Sequence, residues 1–393
     1  MKKLIEIKDK EIFKNENKPF NYLIEGENLH GLEILKSEYD NKIDLIYIDP
    51  PYNTGGDLIY KNKYGSEHSE WLNFMLERLR IAKELLSESG IILISIDDKE
   101  YAYLKVLCDG IFKEKNYIGT MIWESKGSCA NQTKYLCVKT EYILCYAKDK
   151  KKCKINREKV NNLDSYKLED EFVNTRGKYK LNQLDRTSLG YSKLMNFPIE
   201  IDGEIAIPGG TPEENSKHIW IWRWSKKKVE WGIKNKFIVM KKDKKGINKI
   251  YTKQYQYCDN EGNIFVRAKP YSNVIDTIKT VHGTIELENI FGRNRSFAYP
   301  KPVGLIKHLL KIFSQPDSLV LDFFAGTGTT GHAVMEKNKE DGGERQFILI
   351  TNNENQICET ITYPRLKKVI EGVKHKDKIL YGYNENLKYF KIE

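Results

Sequence analysis

The chain has 393 residues, of which 40% are hydrophobic and 31% are charged. At about 150 residues per domain, this length predicts two or three folding units with sizeable cores. A run of 18 apolar residues is absent, which argues against a membrane protein, and the N-terminus is too charged for a secretory signal. The seven cysteines form no CxxC pair, so reduced thiols in a cytoplasm are expected and no metal site is predicted. The formal net charge of +10 favours a polyanionic partner.

The first 147 residues alternate between predicted strands and helices. The segments Ile43–Ile48 and Ile91–Ile96 are nearly continuous apolar runs, typical of parallel strands that are buried on both faces. Between them, residues 68–88 form a predicted amphipathic helix, which Gly90 is expected to end. This alternation predicts an α/β fold with a doubly wound, mostly parallel sheet.

The pattern changes near residue 148. Residues 148–289 have little helical periodicity, are rich in lysine and hold four of the six tryptophans. The α/β pattern resumes over residues 290–393. We therefore predict one α/β domain, made of residues 1–147 and 290–393, which a basic, β-rich insertion interrupts. A surface of solvated lysines is the alternative explanation of the insertion's charge.

The first chemical motif is Asp49-Pro50-Pro51-Tyr52, directly after the predicted strand Ile43–Ile48. Ligands of open α/β sheets bind at the carboxyl ends of strands, and two prolines make this loop stiff. A carboxylate and a backbone carbonyl held there can accept both N–H groups of an exocyclic amine, while Tyr52 stacks on the base that carries it. A turn that merely ends the strand explains the four residues about equally well.

The second motif is a glycine-rich turn between the predicted strand Ser318–Phe323 and a helix. Its glycines let a ligand approach the backbone, and the helix start presents free N–H groups. Gly326, Gly328 and Gly331 match the dinucleotide pattern GxGxxG, which by itself is a weak signal. The acidic residue that NAD requires arrives late, at Glu354, so an NAD-dependent oxidoreductase is the least favoured reading. A tight turn without a ligand is the other alternative.

Together, these motifs resemble those of the amino-group DNA methyltransferases that use S-adenosylmethionine. The order, with DPPY early and the FxGxG turn late, resembles the β-class, and the combination is most similar to the modification (Mod) subunit of type III restriction-modification systems. The resemblance extends over most of the chain, including EGENLHGLEIL (25–35), DLIYIDPPYNTGGD (44–57), EYILCYAKD (141–149) and YPKPVGLIKHLL (299–310). It implies the methyltransferase fold and methyl transfer to adenine N6 in DNA. The form linked mainly to cytosine N4 is SPPY, so a cytosine-N4 enzyme is the close alternative.

The resemblance also implies roles for individual residues. Asp49 and the Pro50 carbonyl would hold the target amine in the loop that Pro51 stiffens, and Tyr52 would stack on the base. Glu27 stands where the family usually has Asp, and Thr351 stands where many relatives have an acidic residue that holds the donor's ribose. The implied donor-binding residues are Glu27, Asn28, Lys301, Pro302, Asp322, Phe323, Phe324, Gly326, Thr327, Gly328 and, in place of Thr351, Asn353 or Glu354.

The resemblance further implies double-stranded DNA as the substrate, a homodimer, a possible helicase-nuclease restriction subunit as a partner, and no metal for methylation. It makes the insertion the candidate target-recognition domain. The two departures at Glu27 and Thr351 leave open a DNA-binding specificity subunit whose donor site has decayed. Five side chains of the insertion are available to read base edges, without a choice among them: Arg176, Asn182, Gln183, Arg186 and Arg223.

Overall fold

The computed structural model of the protein describes residues 2–54, 68–128, 135–160, 163–292, 300–375 and 378–393. The chain divides into two compact units, the first made of Met1–Asn156 and Tyr271–Glu393 and the second of Arg157–Pro270. The second unit is therefore shorter at both ends than the predicted insertion 148–289. The flanking residues belong to the first unit because Cys153 and Tyr271 contact its core. In the described residues, no helix is long and apolar enough to cross a membrane.

A ten-stranded sheet forms the centre of the first unit. Its spatial order is β1-β10-β2-β9-β8-β3-β4-β6-β5-β7, numbered along the chain. The six strands from β10 to β4 are parallel, whereas β6 is antiparallel to β4 and to β5. The strands are β1 (Leu4–Glu6), β2 (Phe20–Glu25), β3 (Ile43–Ile48), β4 (Leu86–Ile96), β5 (Tyr117–Glu124), β6 (Thr140–Ala147), β7 (Val274–Ile275), β8 (Leu319–Asp322), β9 (Gln346–Thr351) and β10 (Asn386–Ile392).

Helices cover both faces of this sheet, which confirms the predicted doubly wound, mostly parallel α/β fold. The apolar residues of α1, α2 and α3 pack on one face, and those of α4 to α7 on the other. The helices are α1 (Asn28–Tyr39), α2 (His68–Leu85), α3 (Asp98–Phe112), α4 (Thr280–Phe291), α5 (Val303–Phe313), α6 (Thr329–Asp341) and α7 (Tyr363–Glu371). A separate hairpin pairs Val373–His375 with Lys378–Leu380.

Strand β4 begins earlier than the sequence predicts. The helix predicted over residues 68–88 ends at Leu85, and Gly90 lies inside β4 instead of ending the helix. A Cβ atom at Gly90 would lie 2.8 Å from the Ile43 carbonyl oxygen. Glycine therefore permits a close approach of β3 and β4 beside the register shift between Ile43 and Leu45.

The second unit has its own small core. Tyr179–Gln183, Ile238–Lys242 and Asn248–Tyr255 form a three-stranded antiparallel sheet. Trp222 and Trp224, two positions apart, are both buried in this core. Their spacing therefore reflects packing in the core and not stacking on bases. The unit's other elements are the strands Glu158–Lys159, Asp185–Arg186, Ile199–Ile201, Glu204–Ala206, Ile221–Trp222 and Ala268–Lys269 and the helices Val173–Arg176, Pro212–Ser216 and Lys226–Lys234.

The cysteines differ from the sequence prediction at one position. Cys137 forms a disulfide bond, so the expectation of reduced thiols throughout is wrong there. Sequence spacing alone does not reveal which cysteines a loop brings together. The free thiols are those of Cys108, Cys145, Cys153, Cys258 and Cys358.

Candidate active site

The two predicted motifs lie side by side because β3 and β8 are neighbours in the sheet. A cleft of about 400 Å³ opens at the carboxyl ends of these strands. Residues of both motifs therefore face one space, although some 270 positions separate them in the chain. Among the residues predicted for the site, those lining this cleft are Glu27, Asn28, Asp49, Pro51, Lys301, Asp322, Phe323, Phe324, Gly326, Thr327 and Glu354.

The remaining predicted residues stand around this cleft. Pro302 precedes the first turn of α5 and Gly328 that of α6. Asn353 accepts a hydrogen bond from the Glu359 amide at 3.3 Å, and its neighbours Asn352 and Glu354 line the cleft instead. Tyr52 lines a second cavity. Pro50 lies between Asp49 and Pro51 in the loop after β3.

The loop after β3 is held from two helices. The Trp71 indole on α2 is fully buried and donates a hydrogen bond of 2.7 Å to the Pro51 carbonyl. Asn53 adopts a left-handed conformation, with φ of 56°, and donates 2.8 Å to the buried Glu100 carboxylate on α3. The Pro51 carbonyl is thus engaged, whereas the Pro50 carbonyl has no donor within the described part of the chain and is available to an amine.

A buried ammonium group stands beside this loop. Lys301 Nζ lies 3.0 Å from Asp49 Oδ1 and 3.2 Å from Glu141 Oε2, and donates 2.8 Å to the Tyr52 hydroxyl. Burial would lower the Lys301 pKa, but the Asp49 and Glu141 carboxylates outweigh burial and raise it. Burial would raise the Glu141 pKa, but Lys301 lowers it overall. Lys301 is therefore a permanent cation and Glu141 a carboxylate at neutral pH, and sequence reasoning had not singled out Glu141.

The second cavity, of about 540 Å³, lies on the Tyr52 side. Its lining includes Tyr52, Glu141, Asp97 and Asp98. Asp97 also accepts a hydrogen bond of 3.1 Å from the Lys99 amide and begins α3, so it is both a helix cap and part of this wall. Burial raises the Asp97 pKa.

The glycine-rich turn after β8 has the form that close ligand approach requires. Gly326 and Gly328 have φ of 49° and 77°, in the left-handed region that glycine adopts without strain. Asp322 accepts 2.9 Å from the Phe324 amide and 2.5 Å from the Thr330 hydroxyl. Burial raises the Asp322 pKa to about 7, despite these two donors.

Residues 43–363 of the chain match the family model N6_N4_Mtase, described as DNA methylase. The match extends over most of the chain and includes both motifs of the cleft. The chain belongs to this family of DNA methylases.

Curated relatives agree with this membership. The chain is 32% identical over 368 residues to the type III restriction-modification enzyme StyLTI Mod subunit of Salmonella typhimurium, covering 84% of this chain and 52% of the relative. It is 32% identical over 345 residues to the type II methyltransferase M.KpnI of Klebsiella pneumoniae, covering 84% of this chain and 79% of that protein. The solved PvuII DNA methyltransferase, a cytosine-N4-specific enzyme, is 12% identical with a TM-score of 0.43, covering 90% of this chain and 94% of that one. The chain spans about half the length of the type III relatives that it matches.

One residue of this DNA methylase escaped the sequence analysis although it organises the cleft. Arg78 on α2 donates 2.7 Å to Asn28 Oδ1 and also hydrogen-bonds the Glu27 carboxylate. Asn28 in turn donates 2.8 Å to the Phe323 carbonyl, at the start of the glycine-rich turn. The signal was available, because Arg78 occupies a position of the buried stripe of α2, where an arginine requires a polar partner.

The pH dependence of stability tests the state of Asp322 in this DNA methylase. With an ordinary pKa near 3.8 when unfolded and about 7 when folded, this carboxyl destabilises the fold increasingly as the pH rises from 4 to 7. Asp322→Asn removes that dependence. We therefore expect its free energy of unfolding, relative to the unaltered protein, to rise by about 2–4 kcal/mol between pH 4 and pH 8.

Denaturant unfolding at several pH values measures this difference. Asp341→Asn is the control of opposite sign, because Arg345 and Lys337 pair with Asp341 and overcome the effect of its burial, so that its pKa is lowered. Its relative stability should fall over the same pH range. A pH-independent difference for Asp322→Asn would show that Asp322 is ionised throughout.

Proposed function

We propose that this chain is a site-specific DNA methyltransferase, which transfers a methyl group from S-adenosylmethionine to adenine N6 in double-stranded DNA. The observation that carries the proposal is the adjacency of an amine-binding loop, Asp49 to Tyr52, and a glycine-rich donor turn at neighbouring strand ends. Family membership supplies the class of reaction, and the type III and type II relatives favour a modification enzyme of a restriction-modification system.

The cleft fits the proposed donor. It combines a turn with left-handed glycines, a buried carboxyl at Asp322 and the polar side chains of Asn28 and Glu27 at its far end. Thr351 ends β9, and Asn352 and Glu354 follow it on the same rim of the cleft. Although Thr351 is not acidic, Glu354 nearby can accept from ribose hydroxyls. When bound, S-adenosylmethionine supplies a methyl group on a sulfonium.

The chain's own residues prepare the amine. Asp49 pairs with the Lys301 ammonium, 3.0 Å from its Oδ1, but a carboxylate has further acceptor positions that can take an N–H of the amine. The Pro50 carbonyl has no donor within the described part of the chain. Two acceptors on one amino group draw its lone pair out of conjugation with the ring. The nitrogen then forms a bond to the methyl carbon as the carbon–sulfur bond breaks, leaving a neutral thioether, and the excess proton on nitrogen passes to Asp49. No covalent enzyme intermediate is required, and positioning and charge supply the rate enhancement.

Cytosine N4 is the second candidate, since an exocyclic amine of either base presents the same two N–H groups to Asp49. DPPY and the Mod relatives favour adenine. The deciding experiment is transfer of labelled methyl groups to unmethylated bacterial DNA, followed by nucleoside analysis. We expect N6-methyladenine. N4-methylcytosine would overturn the base assignment, and label in neither base would favour a specificity subunit with a decayed donor site.

The second unit is proposed to recognise the target sequence. It contains 23 Lys and Arg against 15 Asp and Glu, which gives +8 of the chain's +10. Of the five candidate readers, Arg176 lies 3.8 Å from the Phe172 ring and donates to a backbone carbonyl, while Asn182 and Gln183 hydrogen-bond Gln254 and Asp185. Arg186 also donates 3.2 Å to the backbone carbonyl of its neighbour Asp185, so four of the five have a partner within the unit, but neither Arg186 nor Arg223 bonds to a side chain in the described residues.

Arg186 and Arg223 remain as the candidate readers. Arg186 lies opposite Ile221 in a pair of antiparallel strands, and Arg223 directly follows the strand Ile221–Trp222, where its amide donates 3.0 Å to the Leu184 carbonyl. Neither has a carboxylate within ion-pair distance in the described residues, and Arg223 Nε is buried without a partner. Burial and the charge of Arg186 lower the Arg223 pKa. Two uncompensated guanidinium groups side by side suit the acceptors of DNA, either a guanine edge or phosphates.

Replacing both arginines, in Arg186→Met/Arg223→Met, should weaken DNA binding and reduce the slope of log affinity against log salt by about 2. Fluorescence anisotropy with duplex DNA measures both, and Lys244→Met/Lys245→Met is the charge-matched control from an exposed turn of the same unit. Sequencing of methylated positions separates the two ligands, because a base reader relaxes the motif at one position and a phosphate contact leaves the motif intact. Control-like binding would contradict the role of the pair.

The assembly follows from the same proposal. We propose double-stranded DNA as the partner that the charge of the second unit attracts, and activity in the cytoplasm, where bacterial DNA lies. A homodimer and a helicase-nuclease restriction subunit are proposed partners by analogy with the type III relatives.

A further inference from the structure

A fully buried arginine lies behind the glycine-rich turn. Arg365 on α7 has 0% exposure, and in the described residues Glu286 acts on its guanidinium by charge without forming an ion pair with it. Its Nε atom has no hydrogen-bond partner. Burial lowers the Arg365 pKa to about 10, which still leaves it charged at neutral pH. A buried cation without a close counter-ion is unfavourable for stability, so its position calls for another explanation.

The Arg365 guanidinium donates hydrogen bonds to two side chains of the glycine-rich turn. Arg365 Nη1 donates 3.0 Å to Thr327 Oγ1 and 2.8 Å to Thr329 Oγ1, and both threonines line the donor cleft. One turn earlier in the chain, the Thr362 hydroxyl donates 2.5 Å to the Gly326 carbonyl. Gly326, Thr327 and Thr329 of the donor turn therefore all accept hydrogen bonds from the segment that follows β9.

Accepting from Arg365 also orients the hydroxyl groups. A threonine hydroxyl has one hydrogen to donate, and the Arg365 N–H occupies one of its acceptor positions. Thr329 Oγ1 donates 3.2 Å to the Lys301 carbonyl, and it lies 3.1 Å from Thr327 Oγ1. A hydrogen-bonded line thus runs from Arg365 through Thr329 to Lys301, whose ammonium lies beside Asp49.

We propose that Arg365 is a positioning residue for the methyl-donor site, which sets the glycine-rich turn and the direction of its threonine hydroxyls without touching the donor. The proposal rests on S-adenosylmethionine as the donor. It differs from a merely structural role because a buried cation without a direct ion pair contributes little to folding, so its replacement affects donor binding more than stability.

Equilibrium binding of S-adenosylmethionine by calorimetry, together with thermal unfolding of the ligand-free full chain, tests the role. Arg365→Met should weaken binding about 10- to 100-fold and shift the unfolding midpoint little. Arg365→Lys, which keeps the charge but cannot bridge both hydroxyls in the same way, should recover part of the affinity. Thr362→Val removes the hydroxyl that bonds the Gly326 carbonyl and, at 3.3 Å, the Ile357 carbonyl, and should weaken binding to a smaller extent.

Arg345→Met is the matched control. Arg345 is equally buried but makes a bidentate pair with Asp341 and does not line the cleft. It should lower the unfolding midpoint and leave donor affinity unchanged, the reverse of the pattern for Arg365→Met. Donor affinity of Arg365→Met equal to that of Arg345→Met would overturn the role of Arg365. Failure of the unaltered protein to bind the donor would instead overturn the proposed function, and this role with it.

Discussion

Asp49→Ala should lower methyl transfer by about 10²- to 10³-fold or more, while S-adenosylmethionine binds as it does to the unaltered protein. The reason is geometric. Asp49 is held in place by Lys301, 3.0 Å from its Oδ1, and begins a loop that Trp71 and Glu100 hold by hydrogen bonds, while its remaining acceptor positions can take the amine. Without this carboxylate, the amine keeps its lone pair conjugated and its proton has no acceptor. Single-turnover transfer and donor binding by calorimetry separate the two effects.

Asp44→Ala is the matched control, because Asp44 belongs to β3, the strand that leads to Asp49, but accepts from the Leu319 amide and the Ser87 hydroxyl. It should reduce stability and retain transfer. An active Asp49→Ala enzyme would remove Asp49 from the proposed mechanism.

Lys301→Met should have the next largest effect, lowering methyl transfer about 10- to 100-fold and stability by about 2–4 kcal/mol near neutral pH. The ammonium lies within 3.2 Å of two carboxylates, and its loss leaves Asp49 and Glu141 uncompensated. Family resemblance places Lys301 at the donor's methionine part, whereas the contacts of its ammonium are on the amine side. Transfer should therefore change more than donor affinity.

The sign of the pH dependence follows from Glu141. Lys301 lowers its pKa, so the stability that this pair contributes is present above the ordinary pKa of 4.5 and lost as the pH falls through the lowered value. The deficit of Lys301→Met should thus be largest at neutral pH and shrink below about pH 4.5. Unfolding between pH 4 and pH 8 measures it. Lys307→Met, on the helix α5 that follows Lys301, is the control, because Lys307 pairs with Glu336 and Glu340 instead. Equal behaviour of the two variants would contradict the assigned contacts.

Sequence patterns predicted the two parts of the site that form within a short stretch of chain, the loop at Asp49 and the turn at Gly326. The apolar run before Asp49 and the strand–turn–helix around Gly326 each form within a few residues, and both lie at strand ends as expected. The helix boundary at Gly90 was wrong because its reason, the nearness of the Ile43 carbonyl, comes from the neighbouring strand.

The residues that escaped prediction act across the sheet. Glu141 starts a strand, and Arg78 and Arg365 interrupt the buried stripes of amphipathic helices. A polar residue at such a position signals a buried partner, but the helical pattern does not say which one. Arg78 donates a hydrogen bond to Asn28 on α1, and Arg365 donates one to Thr329 on α6. Only the fold therefore identifies the partners of these two arginines.

The strand order has a consequence for how the protein is made. In the finished sheet, β8 and β9 lie between β2 and β3, although β2 and β3 follow each other in the chain. While a ribosome is still synthesising the second unit, β2 and β3 thus lack the strands that will separate them, and both expose unpaired edges. The nascent chain has neither a donor turn nor a partner for Asp49 until Lys301 and β8 have emerged. The site can therefore be completed only late in translation. Until then, the N-terminal segment with β2 and β3 is the part of the chain that most needs protection by chaperones.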